Sequence, residues 1–525
     1  MTINTINIIS NRAAALKAEA LDNSSLFDVH VWSSEEAREV NDAVHILYQS
    51  FLDNPLYRSN QGLDVRKKHI KTLLLDLYLS LLSDPLRYLS VYRAHWYYEN
   101  LDSRYNKLHI SSVTPSVIDM LVEQGYITYF PGHYPGTNSA PEYQNRSSHI
   151  SRIRATLKLV RLIKKVKLRP EMVEKAPNTE TVILRKYDLE NDRIIDCPYN
   201  DNEETNLWRR NLVAYNNLLR RTYIDIPSAP SEGIPCKQSF RSKKKHKKPR
   251  RVKVSHYDKF VRRIFNNERW DHGGRFYGGW WQRIPETWRT RIRIWNMPVS
   301  EIDYKGLHIS LLYKQTNHQM IGDPYELDGY EKTKEMRVLL KKTLLSSINA
   351  ANPEEAFKVI NMEVNLDPQT FGWVREQKID LKKLINDLKE KHPLIEDRLF
   401  KAKGIELQKV DSMIAEKIIN KYTQEGIAVL CVHDSFVIQA DKAEDLYKYM
   451  GVAFNEAMQE MGLTSQGEPG LDTDGLGINQ FQAIMSHPDW KDVRDNLYRE
   501  QYEYSGWYKN MQAFKALNHT DHYVL

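Results

Sequence analysis

Cysteine is scarce in this sequence. Cys197, Cys236 and Cys431 stand far apart with no paired spacing, which excludes a zinc ribbon and a disulfide framework and makes a reducing compartment the expectation. Long apolar runs are also missing: no stretch approaches the roughly 20 residues a membrane span requires, so no membrane partner is expected. The amino-terminal MTINTINIISNRAAALKAEA has no basic segment leading into an apolar core, and no secretion signal is read from it.

What is present is a chain of 525 residues, 41% hydrophobic and 27% charged, ordinary for a globular protein and long enough for two to four domains. Charge is nearly balanced, 75 Lys and Arg against 68 Asp and Glu, so the clue to a partner lies in where the positive charge sits. Residues 241–254, RSKKKHKKPRRVKV, carry nine basic side chains and no acid, and residues 152–169 add RIRATLKLVRLIKKVKLR. The first run can be read as a solvated linker, as a nuclear address, or as a clamp on phosphates through Lys244, Lys247 and their neighbours. The third reading is favoured by the segment of aromatic and arginine residues that begins at Phe265.

From Ser34 to about Asn100 apolar residues recur at three- and four-residue spacing, which predicts packing helices. Thr114-Pro115 reads as a helix start, with Thr as N-cap, and SVIDMLVEQ runs to Gly125 as a stop. YITYF then predicts a strand, and HISRIRATLKL a second strand or a helix start. This helix with a hairpin after it resembles the winged-helix DNA-binding modules, in which the helix enters the major groove and a basic wing touches the backbone. The resemblance makes Arg146, Arg152 and Arg154 phosphate contacts. Further on, residues 179–186 predict a strand, 203–222 a basic-edged helix, and 223–237 a linker rich in Pro, Ser and Gly.

Between Phe265 and Trp295, aromatic rings are interleaved with arginines and with Gly273, Gly274, Gly278 and Gly279. That mixture suits a nucleic-acid groove, the alternative being an aromatic core hairpin. EIDYKGLH, residues 301–308, delivers Asp303 from a strand into a helix start, and GIAVLCVHDSFVIQ, residues 427–440, predicts a hairpin with Asp434 at its tip. Two strand-end carboxylates are what a two-metal phosphoryl-transfer site needs, since magnesium prefers oxygen ligands and retains waters. In KTKEMRVLLKKTLLSSINA, Arg337, Lys341, Leu345 and Asn349 recur every fourth residue and share one helix stripe, suited to gripping a triphosphate and then a nucleoside.

Taken in order, these elements resemble the family A nucleic-acid polymerases, of a divergent phage or plasmid type, with a more distant similarity to the single-subunit RNA polymerases. Gly274-Arg275 looks like the family's Gly-Arg element, and Gln282-Arg283-Ile284-Pro285 resembles its QNIP element, with Arg291 and Arg293 after it. EIDYKGLH is similar to motif A, RVLLKKTLLSSINA to motif B and VHDSF to motif C. The resemblance covers residues 260–460. It implies an α+β right-hand fold of palm, fingers and thumb, a cytoplasmic setting in a bacterial or phage-infected cell, and two Mg2+ ions, with Mn2+ as a substitute. Asp303, Asp434 and the Tyr304 carbonyl would be the metal ligands. Arg337, Lys341, Leu345, His308 and Asn349 would meet the nucleoside triphosphate, and Arg275, Gln282, Arg291, Arg293, Gln408 and His433 the DNA primer-template. No proofreading exonuclease motif is expected in the first 260 residues.

Departures from the family pattern fall at His308, where DNA-synthesising members carry Glu, at Asn349-Ala350 in place of Tyr-Gly, and at His433-Asp434-Ser435 in place of HDE. The implied activity is a primer-extending DNA polymerase. A single-subunit RNA polymerase or primase-like enzyme, and a DNA-binding replication initiator with an inactive palm, stand as alternatives. The expected boundaries are an N-terminal helical region 1–100, a winged-helix-like module 101–170, a thumb-like connector 171–255, palm 256–327, fingers 328–425, palm 426–463 and a C-terminal extension 464–525. In that extension Asp472 and Asp474 are read as loop residues.

Overall fold

The computed structural model describes residues 24–52, 63–99, 101–132, 150–190, 192–230, 232–236, 251–463 and 470–475. Arg146, Lys244 and Lys247 lie outside these residues. The chain is mixed α and β and divides into two compact units, Met1–Glu180 and Thr181–Leu525. Among the described residues no helix is long and apolar enough to cross a membrane.

In the first unit the order is β1 (Ser24–Leu26), β2 (Val31–Trp32), α1 (Arg38–Leu52), α2 (Leu63–Ser83), β3 (Tyr88–Val91), α3 (His95–Glu99), α4 (Thr114–Glu123), β4 (Ile127–Phe130), β5 (Ser151–Ala155), α5 (Leu157–Lys165) and β6 (Glu174–Lys175). A four-stranded sheet runs β1-β3-β5-β4, and β2 pairs with β6. The expected boundary at residue 100 is absent, because β3 from the first stretch pairs with β5 from the second, Leu89 opposite Ile153. The helical periodicity before Asn100 hid YLSV, a strand buried along its whole length.

Helix α2 is buried on all sides from His69 to Tyr78 and so sits inside the unit along that stretch. Two of its buried polar groups find partners there: His69 Nδ1 meets Thr114 Oγ1 at 2.9 Å, and an Asp76 carboxylate oxygen accepts the Asp28 amide at 2.7 Å. Thr114 therefore does not serve as the N-cap. That position falls to Val113, and the threonine hydroxyl faces His69 and donates to the Ser111 carbonyl. Gly125, at φ +70°, ends the turn beyond α4 as expected.

Among the described residues the second unit has two larger sheets. The first has the order β13-β12-β7-β8, built from β7 (Val182–Asp188), β8 (Arg193–Asp196), β12 (Val261–Phe265) and β13 (Gly273–Gly278), with β7 and β12 parallel. Helix α6 (Glu203–Arg221) packs on it. An Asn202–Thr205 capping box starts this helix, and Lys259 Nζ, donating to the Thr222 carbonyl at 2.7 Å, closes its end. The second sheet runs β16 (Leu430–Val432), β17 (Ser435–Gln439), β15 (Met297–Tyr304), β14 (Arg293–Ile294), β9 (Ile224–Asp225), with β18 (Leu471–Gly475) also on β15. A short pair, β10 (Ile234–Pro235) with β11 (Arg251–Val252), lies apart. The helices are α7 (Glu286–Arg289), α8 (Leu307–Lys314), α9 (Lys334–Asn349), α10 (Pro353–Leu366), α11 (Pro368–Glu376), α12 (Leu381–Lys391), α13 (Gly404–Gln424) and α14 (Ala443–Glu460).

The aromatic segment is a core hairpin, not a groove lining. Trp280 and Trp281 are both 0% exposed, and Phe265 stacks on Trp208 with ring centroids 4.7 Å apart. The glycines have a packing reason: a Cβ on Gly274, whose φ is +80°, would stand 2.9 Å from Ser412 Oγ on α13 and 2.8 Å from the Phe265 ring. Beneath this contact Arg263 is wholly buried, with Nη1 donating to Glu416 at 2.6 Å and Nε to the Gly274 carbonyl at 2.9 Å.

Removing one partner of such a pair strands a buried charge. Arg263→Ala is expected to destabilise the second unit by about 3 kcal/mol or more, read as a lower denaturation midpoint by tryptophan fluorescence. Glu416→Gln, which keeps a hydrogen-bond acceptor, is expected to cost less.

Candidate active site

Strand β15 carries Asp303 to its C-terminal end, beside the β16–β17 hairpin. Asp303 lies opposite Ser435 in the register, and the Tyr304 amide donates to the Asp434 carbonyl at 3.4 Å, so the two aspartates are neighbours. The hairpin loop is His433-Asp434, with His433 in the left-handed region at φ +62°. On its other side β15 pairs with β18, which puts Asp472 directly opposite Asp303. Asp472 and Asp474 are therefore strand residues: the alternation that would have marked them is too short to read in LDTDG.

Burial and the Asp434 carboxylate push the Asp303 carboxyl up to about 8; Lys341 pulls the other way, while Glu301 and Asp472 add to the rise. Among the described residues neither Asp303 nor Asp434 is ion-paired. Glu301, two residues before Asp303 and on the same face, is held differently. It accepts Arg289 Nε and Nη2 at 2.8 and 2.6 Å and the Ser435 hydroxyl at 2.6 Å. Ser435 thus serves as a brace beneath Asp303. Sequence reasoning missed Arg289 and Glu301, since only their contact reveals them.

Two uncompensated carboxylates side by side are the donor set a hard divalent cation takes, with waters and phosphate oxygens completing its shell. Asp303 and Asp434 fit that role. Tyr304 can contribute only through its backbone, because its ring is buried and its hydroxyl donates to the Met450 carbonyl at 2.6 Å. No group of three or more His, Cys, Asp or Glu side chains forms a metal-holding cluster among the described residues.

Helix α9 buries Met336, Leu339, Leu340, Thr343, Leu344, Ser347 and Ile348, which leaves the stripe Arg337, Lys341, Leu345 and Asn349 outward or half-buried. Lys341 is exposed and acts electrostatically on Asp303. Arg337, 51% exposed, donates from Nε to Asp323 at 2.9 Å and lies over the Tyr325 ring. Asn349 turns back to the Leu345 carbonyl at 2.7 Å, and its side chain fills the place a Cβ on Gly404 would take.

The remaining expected contacts divide. Arg275 and His308 converge on Asp411 of α13: Arg275 Nε lies 2.9 Å and His308 Nε2 2.9 Å from the same carboxylate oxygen, which Arg275 Nη2 also contacts. Asp411, almost wholly buried, was not singled out from the sequence, although it stands three residues after Gln408 on one helix. Gln408 is half-buried on that helix and makes no hydrogen bond among the described residues. The Gln282 amide is spent on backbone, donating to the Phe276 and Cys431 carbonyls at 3.0 and 2.9 Å and accepting the Gly278 amide at 3.0 Å. Trp281 Nε1 donates to the same Cys431 carbonyl at 3.1 Å, so two side chains of the 280–283 turn fasten it to β16.

Arg291 is exposed and covers the Trp288 ring, whereas Arg293, half-buried on β14, donates to the Ile292 carbonyl at 3.0 Å. His433 packs edge-on to Tyr277 at 5.3 Å with Nδ1 buried and unpartnered, and burial, reinforced by Arg275, lowers its pKa. In the other unit Arg152 is tied to the Ile150 carbonyl at 3.3 Å, and Arg154 lies over Tyr88 at 4.7 Å. Both arginines are committed to their own sheet.

A carboxyl whose folded pKa is raised favours the fold below its unfolded value near 4 and loses that stability as pH rises toward 8. Asp303→Asn is therefore expected to raise the thermal midpoint of the protein in chelator, with little gain at pH 5 and about 2–4 °C at pH 9. A thermal melt series across pH reads the difference.

The chain matches no protein-family model, and no curated protein is detectably similar to it in sequence.

Proposed function

We propose that the second unit is a template-dependent nucleotidyltransferase, most simply a DNA-directed DNA polymerase that extends a primer without proofreading. The carrying observation is the juxtaposition of Asp303 with Asp434 at the mouth of one sheet, with Lys341 near enough to act on Asp303. In this reading β15, β16, β17 and β18 form the palm and α9 to α12 the fingers. Bound divalent magnesium would supply charge neutralisation for the primer 3'-hydroxyl and the leaving pyrophosphate.

The chain's own residues then have defined tasks. Asp303 and Asp434 hold the cations. Lys341 and Arg337 bind the triphosphate, Arg337 exchanging Asp323 for phosphate oxygens, and Leu345 lies against the base and sugar. Asp411 fixes the Arg275 guanidinium, which acts electrostatically with Asp434, and the His308 ring; Arg275 then meets the primer-template and His308 the nucleotide. Gln408, with no hydrogen bond among the described residues, and the half-buried His433 meet the nucleic acid.

The first unit supports a nucleic-acid role in its order of elements. Helix α2, strand β3, helices α3 and α4, then β4 and β5 with sheet order β3-β5-β4, follow the winged-helix plan. A second reading, synthesis of RNA, is favoured by His308, whose position carries Glu in the DNA enzymes the chain resembles. An inactive initiator is disfavoured by the two adjacent aspartates, which form no ion pair among the described residues and are held together by the sheet.

Primer extension with magnesium, offering deoxynucleotides or ribonucleotides, tests the proposal. Extension with deoxynucleotides is expected, and Asp434→Asn should lower kcat by about a hundredfold or more, consistent with losing several kcal/mol of charge stabilisation. Lys341→Ala should instead raise KM, about tenfold or more for a charge-assisted contact. Incorporation of neither nucleotide by folded protein on any template would overturn the polymerase reading.

A further inference from the structure

The first unit carries its positive charge on an unexpected element. Helix α4, which precedes the β4–β5 hairpin, turns Ser116, Asp119 and Glu123 outward and has no cation in its length. Asp119 grips Arg93 through two bonds of 2.6 and 2.7 Å. An acidic helix face repels phosphate, so α4 is a poor candidate for a groove.

Helix α5, LKLVRLIKK, has the opposite character. It buries Leu159, Leu162 and Ile163 and exposes Lys158, Arg161, Lys164 and Lys165, with Lys167 exposed just past its end at φ +58°. Lys158 is committed to the fold, donating to the Gln124 carbonyl at 2.7 Å and covering the Tyr126 ring. Arg161, Lys164, Lys165 and Lys167 have no carboxylate partner among the described residues. Positions 161, 164 and 165 are one turn apart and form a single face.

Two plainer accounts fall short. Cations in the last turn of a helix complement its dipole, which explains Lys164 and Lys165 but not Arg161, a turn earlier, or Lys167, beyond the end. A basic amphipathic helix can lie on an anionic membrane, but that needs a free apolar face, and on α5 Leu159, Leu162 and Ile163 are packed into its own unit, leaving Leu157 at the first position exposed. A row of unpaired cations on a rigid helix, without aromatic rings among them, is complementary to a polyanionic backbone and carries no means of reading bases.

We propose that Arg161, Lys164, Lys165 and Lys167 form a sequence-independent docking surface for the phosphate backbone of DNA, with α5 and not α4 as the contacting helix. The surface rests on the nucleic-acid reading above for its partner and is independent of the catalytic aspartates.

The test uses the full chain and fluorescence anisotropy with mixed-sequence DNA of about 20 residues, as duplex and as single strand. The combined Arg161→Gln, Lys164→Gln and Lys165→Gln variant is expected to bind at least one form about tenfold more weakly, and to lower the slope of log affinity against log salt by about 2–3. Arg161→Lys with Lys164→Arg and Lys165→Arg should keep the affinity, since charge and not identity is read. Glu123→Lys on α4 should change it less than about twofold.

Unchanged affinity and slope in the glutamine variant would overturn the surface. So would an equal loss in the conservative variant, a Glu123→Lys gain larger than the α5 loss, or α5-dependent binding to phosphatidylserine vesicles without α5-dependent binding to DNA. Absence of nucleotide incorporation with α5-dependent DNA binding intact would overturn the catalytic reading and support the surface. Incorporation with DNA binding indifferent to α5 would overturn the surface alone.

Discussion

Two carboxylates of like charge held side by side are the constraint around which the second unit is built. Asp303 and Asp434 come from segments far apart in the chain, and only the antiparallel pairing of β15 with β17 keeps them adjacent. Left to themselves they would separate or one would protonate. The sheet prevents separation: β15 is flanked by β17 and β18, its Tyr304 is anchored to α14, and the Glu301–Arg289–Ser435 cluster stiffens the floor. A rigid scaffold holding an electrostatically unfavourable pair is what supports the proposed cation-binding role of the two aspartates.

Helix α13 connects that floor to the rest of the unit. One face presents Ser412 and Glu416 to Gly274 and Arg263, Asp411 to Arg275 and His308, and Gly404 to Asn349 at the end of α9. Residues of the aromatic hairpin, of the segment after Asp303 and of α9 therefore share one helix as their reference. Arg275 and His308 acquire their positions from a buried aspartate, which makes their geometry a property of α13 as much as of their own strands.

Much of this was legible in local pattern. His433-Asp434 between two β-rich runs is a two-residue hairpin, and the four-residue stripe on α9 is a helix face, because period 2 and period 3.6 are properties of the chain itself. Less legible were YLSV, masked by helical spacing around it, and LDTDG, too short to show alternation. The arginines and Gln282 of residues 265–295 look like ligand contacts in the sequence because composition cannot distinguish an amide spent on backbone, as in Gln282, from one free to meet a partner. For the same reason the paired tryptophans, which suit a stacking groove, are wholly internal.

The sequence by itself determined the mixed α and β character, the strand-borne Asp303, the hairpin-borne Asp434 and the exposed stripe of α9, since each depends on spacing within a few turns or pleats. Tertiary structure alone decided that the two aspartates meet, that Asp472 pairs opposite the first, that Asp411 joins Arg275 to His308, and that the α5 cations find no carboxylate partner among the described residues. Contacts between distant segments depend on register and packing, which short-range periodicity does not encode.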